Sequence, residues 1–419
     1  MSRVALSGSL SLRGRRLIDN PTLPEYLQEH FARRAAPFHP QLRPSGYIPL
    51  CIAENKLVGE LLLAKLDSCG PMPEAALGYD SMLGSLAFRQ ALARFMGDRF
   101  LGRQFEPEQL AVLAGAGSVL EILFHVLADA GEGVLVPTPS YAGFWPDLET
   151  RDALAIVPVH TSSQDGFHLH TAQLDEAIAA AGRPVRALLF TSPDNPTGRV
   201  YSASELETLI RWAEERGIHL VMDEIYALSV FGQQGFISAA SLRPLLGERV
   251  HIVWAFSKDF GMSGARVGVL VSENEAVIEA VSSLSYWACC SGPTQHLLGS
   301  MIADEPWVDA YLDSMRRRLQ RAYDEVCLAL DEFQIPYFPA SAGFFVLLDL
   351  RRFLASPTWE GEHALWQRIL QGVNVNLTPG AACRVGEPGF MRLCFAGIET
   401  PTLLHAVRAL GRVLAGGGR

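Results

Sequence analysis

Short, uninterrupted apolar runs alternate with amphipathic segments between residues 111 and 271. Runs that are apolar at every position over about four to eight residues are typical of strands buried on both faces of a parallel sheet. Helices that alternate with such strands cover the two faces of that sheet. The sequence therefore predicts an α/β fold with a mostly parallel sheet of about seven strands. The predicted strands are residues 111–113, 133–137, 186–191, 218–222, 250–255 and 267–271.

Helices are predicted on both sides of these strands, over residues 86–98, 119–130 and 204–216. Ser204 and Glu207 have the spacing of a capping box, in which each side chain binds the backbone N–H of the other residue. We therefore expect the third of these helices to begin at this serine.

The two ends of the chain have a different pattern. Residues 307–332 predict one long helix, and residues 335–414 read as strand, helix, strand, strand and helix, which suits a smaller α+β domain. Residues 1–50 are Pro-rich and irregular apart from a helix predicted over 23–34, as expected of an arm that wraps another surface. The predicted units are residues 1–75 (the arm and part of the small domain), 76–315 (the large domain) and 316–419 (the C-terminal small domain).

The composition excludes several classes of function. The 419 residues carry a net charge of −10 and no basic patch, which argues against nucleic acid as a partner. The apolar runs are far shorter than the roughly 20 residues of a membrane helix, and residues 1–16 lack an apolar signal core. Seven cysteines without metal-ligand spacing suit the reduced, buried thiols of a cytoplasmic protein. We interpret the adjacent Cys289 and Cys290 as core residues.

Lysine is rare in this chain, since only Lys56, Lys65 and Lys258 contribute to the 35 basic residues. Arginine stays protonated and cannot form an imine, whereas lysine can lose its proton and do so. Lys65 lies in an amphipathic run, which predicts a helix residue whose amine reaches solvent. Lys258 follows a predicted strand. The alternatives for Lys258 are a solvated surface lysine and an imine-forming amine, and we favour the second.

Polar residues follow several of the predicted strands at their carboxyl ends. In open α/β sheets these ends share one edge, and ligands bind beside it. The edge is predicted to bring together residues 115–118, Tyr141, Asn195, Asp223, Tyr226, Ser257 and Lys258.

These residue types offer complementary chemistry. Residues 115–118 precede a helix, so their amides and the helix dipole can bind a phosphate, and Arg266 in a glycine-rich loop can clamp the same group. Asp223 supplies a negative charge or caps the following segment. Tyr141 stacks on a flat ring or fills the core.

Arg392 lies inside the apolar strand over residues 390–395. A guanidinium in such a place is costly unless it is paired. Two partners are open: a substrate carboxylate bound through two hydrogen bonds, or a carboxylate of the protein itself.

Seven stretches together have the motifs of one family: residues 50–57, 135–144, 192–198, 218–226, 256–268, 376–380 and 387–396. On these stretches, and over nearly its whole length, the chain resembles the fold-type I pyridoxal-phosphate (PLP) enzymes of aminotransferase class I/II. Within them it is most similar to 1-aminocyclopropane-1-carboxylate (ACC) synthases. The resemblance implies a PLP-dependent transferase fold of type I, PLP as cofactor, and a homodimer with shared active sites.

The resemblance also implies roles for individual residues. Lys258 is implied to hold PLP as a Schiff base and to act in catalysis with Asp223 and Tyr226. The residues implied to contact the cofactor are Tyr79, Ala116, Gly117, Ser118, Tyr141, Asn195, Asp223, Tyr226, Ser257, Lys258 and Arg266. The residues implied to contact the substrate are Glu54, Asn195 and Arg392.

The chain departs from the family pattern at four positions. Met82 replaces a tyrosine that serves catalysis in ACC synthases, while Ala255 and Gly117 replace hydroxyl residues near the phosphate. Lys56 replaces a glutamine beside Glu54. We therefore expect the backbone and Arg266 to hold the phosphate, and the product to differ from ACC.

Two reactions remain open. The Glu54 motif favours elimination or substitution at Cγ of S-adenosylmethionine, whose sulfonium is cationic, with C–C bond formation in natural-product biosynthesis as one outcome. The alternative is transamination between an amino acid and a 2-keto acid. A transcription regulator of this fold is disfavoured, because the chain is acidic and no segment resembles a DNA-binding domain.

Overall fold

The structure is a computed structural model that describes residues 9–19 and 21–416. Its strands fall into a central sheet and two smaller ones. They are β1 (Ile48–Pro49), β2 (Leu110–Leu113), β3 (Gly133–Thr138), β4 (Ala155–His160), β5 (Val185–Thr191), β6 (His219–Asp223), β7 (Val250–Ala255), β8 (Gly268–Ser272), β9 (Tyr337–Phe338), β10 (Phe345–Asp349), β11 (Val375–Asn376), β12 (Thr378–Pro379) and β13 (Phe390–Cys394).

The central sheet has seven strands in the order β2-β8-β7-β6-β5-β3-β4. The pairs β4–β3, β3–β5, β5–β6 and β6–β7 are parallel, while β8 runs antiparallel to both β7 and β2. Every residue of β2, β7 and β8 is buried, as expected for strands covered on both faces. The predicted α/β fold with a mostly parallel sheet is confirmed.

Helices cover both faces of this sheet and extend beyond it. They are α1 (Leu12–Asp19), α2 (Glu25–Arg33), α3 (Gly59–Asp67), α4 (Leu86–Met96), α5 (Ala116–Leu127), α6 (Phe144–Glu149), α7 (Thr171–Ala180), α8 (Ala203–Glu215), α9 (Phe256–Asp259), α10 (Glu275–Leu284), α11 (Gly292–Ile302), α12 (Glu305–Glu332), α13 (Trp359–Val373) and α14 (Thr400–Leu414). Within the described part of the chain, none of them is long and apolar enough to cross a membrane.

The predicted capping box of α8 is wrong by two residues. The N-cap is Ser202, whose backbone is extended (φ −76°, ψ 160°) as an N-cap requires. Its Oγ accepts from the N–H of Glu205 at 3.4 Å, and the Glu205 carboxylate accepts from the N–H of Ser202 at 2.9 Å. Ser204 is already helical and therefore cannot occupy the cap.

Several elements were not predicted from the sequence. Strand β4 forms one edge of the central sheet and is mostly half-buried; Pro158 interrupts its apolar run and argues against a strand in the interior of a sheet. Helices α7, α10 and α11 also went unpredicted. In the N-terminal region, helix α2 was expected but the exposed helix α1 was not; residues 1–8 and 20 of the predicted arm lie outside the described residues.

The smaller sheets connect the two ends of the chain. Strands β12-β13-β10-β9 form an antiparallel sheet, and β1 pairs in parallel with β11. The pairing of β1 with β11 places the segment before residue 50 against the C-terminal part of the chain. Helix α12 crosses the position of the predicted boundary between residues 315 and 316, and the domain limits remain a prediction.

Two interpretations of individual residues are wrong. The side chain of Lys65 is only 11% exposed, because its amine pairs with Asp304 Oδ2 at 2.5 Å instead of reaching solvent. Cys289 is an exposed free thiol and Cys290 is half-buried, so the pair is not core. Cys289 pairs through its backbone with Leu113 on the edge strand β2, which places it at the rim of the sheet.

Candidate active site

Three neighbouring strands bring the predicted polar residues to one edge of the central sheet. Asp223 is the last residue of β6, Lys258 lies in α9 directly after β7, and Asn195 lies in the loop after β5. Asp223 is paired with Thr191 of β5 and Val253 of β7. The convergence expected at the carboxyl ends of parallel strands is therefore present.

Lys258 is partly buried, and its amine Nζ donates to the carbonyl oxygen of Ala53 at 2.7 Å. Burial, followed by the positive charge of Arg392, lowers the pKa of Lys258 to about 8. A substantial fraction of the amine is thus neutral and nucleophilic in mildly alkaline solution, as imine formation requires.

Asp223 is 5% exposed, and its Oδ1 accepts from the N–H of Ile225 at 3.2 Å. Burial raises the pKa of this carboxyl to about 7, while the charge of Lys258 acts in the opposite direction. If the implied PLP cofactor placed its protonated ring nitrogen beside Asp223, the pKa of this carboxyl would fall again, because each charge stabilises the other.

The first turn of α5 forms a cradle of backbone amides. Ala116, Gly117 and Ser118 are its first three residues, whose N–H groups have no partner within the helix. Gly115 precedes them with a φ of +94°, and a Cβ at this position would lie 2.4 Å from Nη2 of Arg266. The glycine thus lets the arginine approach the helix N-terminus, where an anion is favoured.

Arg266 is exposed, and backbone carbonyls hold its guanidinium in place. Nη1 donates to Ser263 O at 3.1 Å and Nη2 to Ala114 O at 3.3 Å. Ser118 Oγ donates to the same Ala114 carbonyl at 3.2 Å, while Ser257 is buried in α9. The cradle therefore combines helix amides, one guanidinium and Ser118.

Asp147 on α6 is a neighbour of this cradle that the sequence analysis missed. A Cβ placed on Gly117 would lie 3.8 Å from both carboxylate oxygens of Asp147. Burial, with a contribution from Glu121, raises the pKa of Asp147 to about 6. No strand-end signal points to this residue, because it lies on a helix.

Arg392 on β13 is 3% exposed, and neutral groups surround it. Nη1 donates to Asn195 Oδ1 at 2.9 Å, and Nη2 donates to Cys51 O at 2.9 Å and to Thr378 Oγ1 at 3.1 Å. Nε is buried without a partner. Among residues 9–19 and 21–416, no carboxylate forms an ion pair with this guanidinium, so the protein-carboxylate alternative is wrong.

The two tyrosines of the edge differ in environment. Tyr226 is 2% exposed, with its ring edge-on to Phe344 and Phe345 at 5.5 and 5.4 Å. Tyr141 is 41% exposed, and its ring lies over Gly143, where a Cβ would come within 2.3 Å of the ring. Tyr141 therefore offers an accessible aromatic surface, which the core alternative does not predict.

Glu54 directly follows Ala53, whose carbonyl accepts from Lys258 Nζ. Its Oε1 accepts from Ser263 Oγ at 3.1 Å, and its Oε2 lies 3.3 Å from Nζ of Lys56. Ser263 and the Lys56 ion pair had no signal of their own in the sequence analysis.

Tyr79 lies on the surface of the chain, outside the gathered residues. Tyr79 is 99% exposed, and Met82 is half-buried. Within one chain, Tyr79 therefore does not take part in the phosphate cradle.

Comparison with known proteins places the chain in a family. The family model for aminotransferase class I and II matches residues 71–410. The chain is 35% identical to 1-aminocyclopropane-1-carboxylate synthase 6 of Arabidopsis thaliana, over 89% of this chain and 79% of that protein. It is also 35% identical to the 1-aminocyclopropane-1-carboxylate synthase of Malus domestica, over 89% of this chain and 84% of that protein.

Solved structures share the fold. The aromatic aminotransferase of Pyrococcus horikoshii superposes with a TM-score of 0.77 at 25% identity, over 88% of this chain and 96% of that one. The aspartate aminotransferase of Thermotoga maritima gives a TM-score of 0.79 at 23% identity, over 97% and 100% of the two chains. The fold is therefore that of the type I PLP enzymes.

The fold and the edge of polar residues define an α/β enzyme of this type, and the chain belongs to the aminotransferase class I and II family. Members of this family use PLP, so this protein is a PLP-dependent enzyme. Within the family it resembles the ACC synthases.

Proposed function

We propose that this enzyme cleaves a bond at Cγ of an amino acid that carries a cationic leaving group there, with S-adenosylmethionine as the substrate. One observation carries the proposal: Lys258, which donates to the carbonyl of Ala53 next to Glu54, feels both the Glu54 carboxylate and the guanidinium of Arg392, which has no carboxylate partner in the described chain. These charges complement a substrate with an α-carboxylate at one end and a sulfonium at the other.

The gathered residues fit PLP. Lys258 would supply the amine for attachment, Asp223 would face the ring nitrogen, and Tyr141 would lie against the ring. Tyr226 and Asn195 would bind the ring oxygen. We assign the phosphate to the first turn of α5 at Ala116, Gly117 and Ser118, together with Ser257 and Arg266. The glycine at position 115 supports this assignment, since a Cβ there would displace the arginine.

PLP, when bound, withdraws electrons from Cα of an attached amino acid, which makes the Cα proton acidic. Arg392 binds the α-carboxylate through two hydrogen bonds and so fixes which bond at Cα faces the cofactor. Asn195, Cys51 and Thr378 hold the guanidinium in place before the substrate arrives. Lys258 then removes the Cα proton, and its pKa of about 8 suits a base that works near neutrality.

Glu54 gives the site its preference at Cγ. A carboxylate attracts a sulfonium electrostatically, and the attraction holds the leaving group near the base. Loss of the Cα proton makes Cα electron-rich, and the sulfonium makes Cγ electrophilic. Ring closure follows if Cα attacks Cγ as the thioether leaves with the C–S bonding electrons; elimination follows if a Cβ proton is lost as the thioether leaves, and a second molecule can add to the resulting alkene. Met82 in place of the catalytic tyrosine of ACC synthases supports a product other than ACC, including one with a new C–C bond made in natural-product biosynthesis.

Transamination is the second candidate. It is favoured by Met82, which stands in place of the tyrosine that serves catalysis in ACC synthases, so the site lacks one hydroxyl that the ACC-forming reaction uses. In this reaction Lys258 would move the Cα proton to the cofactor, which would keep the amino group while water releases the rest of the substrate as a 2-keto acid.

We also propose that two copies share their active sites. Tyr79 is 99% exposed and lies with Leu77, at 73%, in one surface segment, and Tyr286 and Trp287 are 66% and 74% exposed. Exposed aromatic residues are typical of interfaces between chains. Tyr79 of one copy would then reach the phosphate of the other.

A reducing, cytoplasmic compartment is further supported by the seven free thiols.

Incubation of the holoenzyme with S-adenosylmethionine, followed by mass spectrometry of all products, tests the proposal. Release of methylthioadenosine supports Cγ chemistry. A pyridoxamine-phosphate spectrum and a keto acid after addition of an amino donor support transamination and contradict the proposal. Lys258→Ala must abolish both reactions and the imine absorbance, and a variant that keeps them would overturn the role of this lysine.

A further inference from the structure

We propose that Lys56 is a displaceable counter-ion of Glu54 and sets how strongly the site prefers substrates with a positive charge near Cγ. This inference rests on the proposed function, because it requires the substrate side chain to reach Glu54. It goes beyond that function in giving a role to a lysine that does not touch the reacting atoms.

The two partners of the ion pair are held very differently. The Glu54 carboxylate is 35% exposed and is anchored on its other oxygen by Ser263 Oγ at 3.1 Å. The Lys56 side chain is 64% exposed, and its amine lies 3.3 Å from the carboxylate. The backbone N–H of Lys56 donates to Ala396 O at 2.8 Å, so only the side chain is free to move. Of the two charges, the amine is therefore the one that can leave.

Glu54 lies within reach of a bound amino acid. The carbonyl of Ala53, its neighbour, accepts from Lys258 Nζ at 2.7 Å. The same carboxylate acts electrostatically on Lys258, because its charge counteracts the lowering of that pKa. A side chain that extends from Cα, which must lie next to Lys258 for proton transfer, can thus approach Glu54.

The other charged and titratable groups around Glu54 do not replace Lys56. Lys258 is engaged by the Ala53 carbonyl and Arg266 by the carbonyls of Ser263 and Ala114, while burial lowers the pKa of His30. His30 Nδ1 is engaged with the Tyr47 hydroxyl at 3.1 Å. Among the residues that the structure describes, Lys56 is therefore the cation that forms an ion pair with Glu54.

Charge balance decides the effect of the lysine. A neutral substrate side chain does not compete with Lys56 for Glu54, so the lysine has little effect on its binding. A cationic substrate side chain can pair with Glu54 only if it displaces Lys56. Exposed ion pairs are weak, so the displacement costs little and the effect on binding is about two- to fivefold. Lys56 thus moderates a preference that Glu54 alone would make stronger.

Two ligands that differ by one methyl and one charge test this. S-adenosylmethionine carries a sulfonium, and S-adenosylhomocysteine is the neutral thioether with the same nucleoside. Kd is measured for both on the holoenzyme, from the first change in cofactor absorbance after rapid mixing and before turnover. Lys56→Gln is expected to tighten S-adenosylmethionine by about two- to fivefold and to leave S-adenosylhomocysteine unchanged.

Two further variants show whether Lys56 acts through Glu54. In a Glu54→Gln background, Lys56→Gln is expected to have no selective effect. Arg317→Gln removes one positive charge from an exposed ion pair on α12 and serves as the control for net charge. The inference is overturned if Lys56→Gln shifts both ligands equally or neither, or if the control reproduces its effect.

Failure of the proposed function is a distinct outcome. If neither adenosyl ligand binds, the proposed substrate is wrong, and the comparison is made with S-methylmethionine and methionine, which also differ by one sulfonium methyl. A selective gain for the sulfonium in Lys56→Gln then still supports the inference, and equal or absent changes overturn it.

Discussion

Nη1 of Arg392 donates to Oδ1 of Asn195 at 2.9 Å, and this bond joins β13 of the small antiparallel sheet to the loop after β5 of the central sheet. The two sheets thus hold one guanidinium between them. With no carboxylate of the described chain paired to it, the guanidinium is oriented and charged before any substrate enters, which lowers the entropic cost of binding one.

Arg392→Lys is expected to lower kcat/KM for every α-amino acid by about 10- to 100-fold, because an ammonium cannot make the two parallel hydrogen bonds of a guanidinium. The substitution keeps the positive charge near Lys258, so the cofactor should bind as before. Steady-state kinetics test the loss in kcat/KM, and a PLP titration tests whether the affinity for the cofactor is unchanged. Unchanged kinetics would mean that the substrate carboxylate binds elsewhere.

Gly115→Ala is expected to weaken PLP binding on the order of tenfold, because the new methyl group displaces Arg266 from the helix N-terminus. Gly131→Ala is the matched control: Gly131 has a φ of +85° and nothing within 4 Å of its Cβ position. Both variants carry backbone strain of about 1–2 kcal/mol, but only the first should lose affinity in a titration of the apoprotein. Equal losses would refute the clamp.

The strands that are buried on both faces could be predicted from the sequence, because burial on both faces leaves an unbroken apolar run. Strand β4 was not predicted, because Pro158 interrupts its apolar run and a proline argues against a strand away from a sheet edge. The capping box of α8 was misplaced for a different reason. The spacing fits both Ser202 with Glu205 and Ser204 with Glu207, and only the backbone geometry shows that Ser202 is the N-cap.

The candidate site divides in the same way. Side chains that follow strands, such as Asp223 and Lys258, could be predicted because parallel strands end together. Contributions made through the backbone carbonyl of Cys51, or from helix α6 at Asp147, could not. Their position depends on packing between segments distant in the chain. The place of Tyr79 in the site stays a prediction, because it requires a second copy.

The rate of PLP attachment to the apoprotein is expected to rise with pH and to level off above about pH 8, since Lys258 attacks only as the neutral amine. Glu54→Gln removes a negative charge that favours protonated Lys258, so the midpoint of the pH dependence of this rate should move to lower pH in the variant. Stopped-flow absorbance at a series of pH values measures both. A midpoint that moves upward in this variant would contradict the arrangement.

A buried histidine predicts how stability depends on pH. His251 is fully buried, with Nδ1 2.9 Å from Ser272 Oγ and Nε2 3.0 Å from His219 Nδ1. Burial, and then the charge of His219, lowers the pKa of His251 to about 3. Below about pH 6.5 the unfolded chain binds a proton here that the folded chain does not. This contribution to stability is therefore present above about pH 6.5 and is lost progressively as the pH falls towards about 3.

His251→Gln should flatten that dependence by up to ~1.4 kcal/mol per pH unit, whatever its effect on absolute stability. Urea unfolding at several pH values gives the slope, and exposed His170→Gln is the control. An unchanged slope in His251→Gln would show that His251 does not determine how the free energy of unfolding falls at acid pH.

Asp147→Asn is expected to tighten PLP binding, because the carboxylate of Asp147 lies beside the first turn of α5 and repels a phosphate there. Burial raises the pKa of this group to about 6, so the repulsion is present above that pH and disappears below it as the carboxyl takes up a proton. The gain in affinity should therefore be several-fold, on the order of 1 kcal/mol, above this pKa and vanish below it. PLP titrations of wild-type and variant apoprotein on both sides of the pKa measure the difference. A gain that does not depend on pH would mean that the asparagine acts by forming a new hydrogen bond, and a loss would mean that the carboxylate supports the cradle.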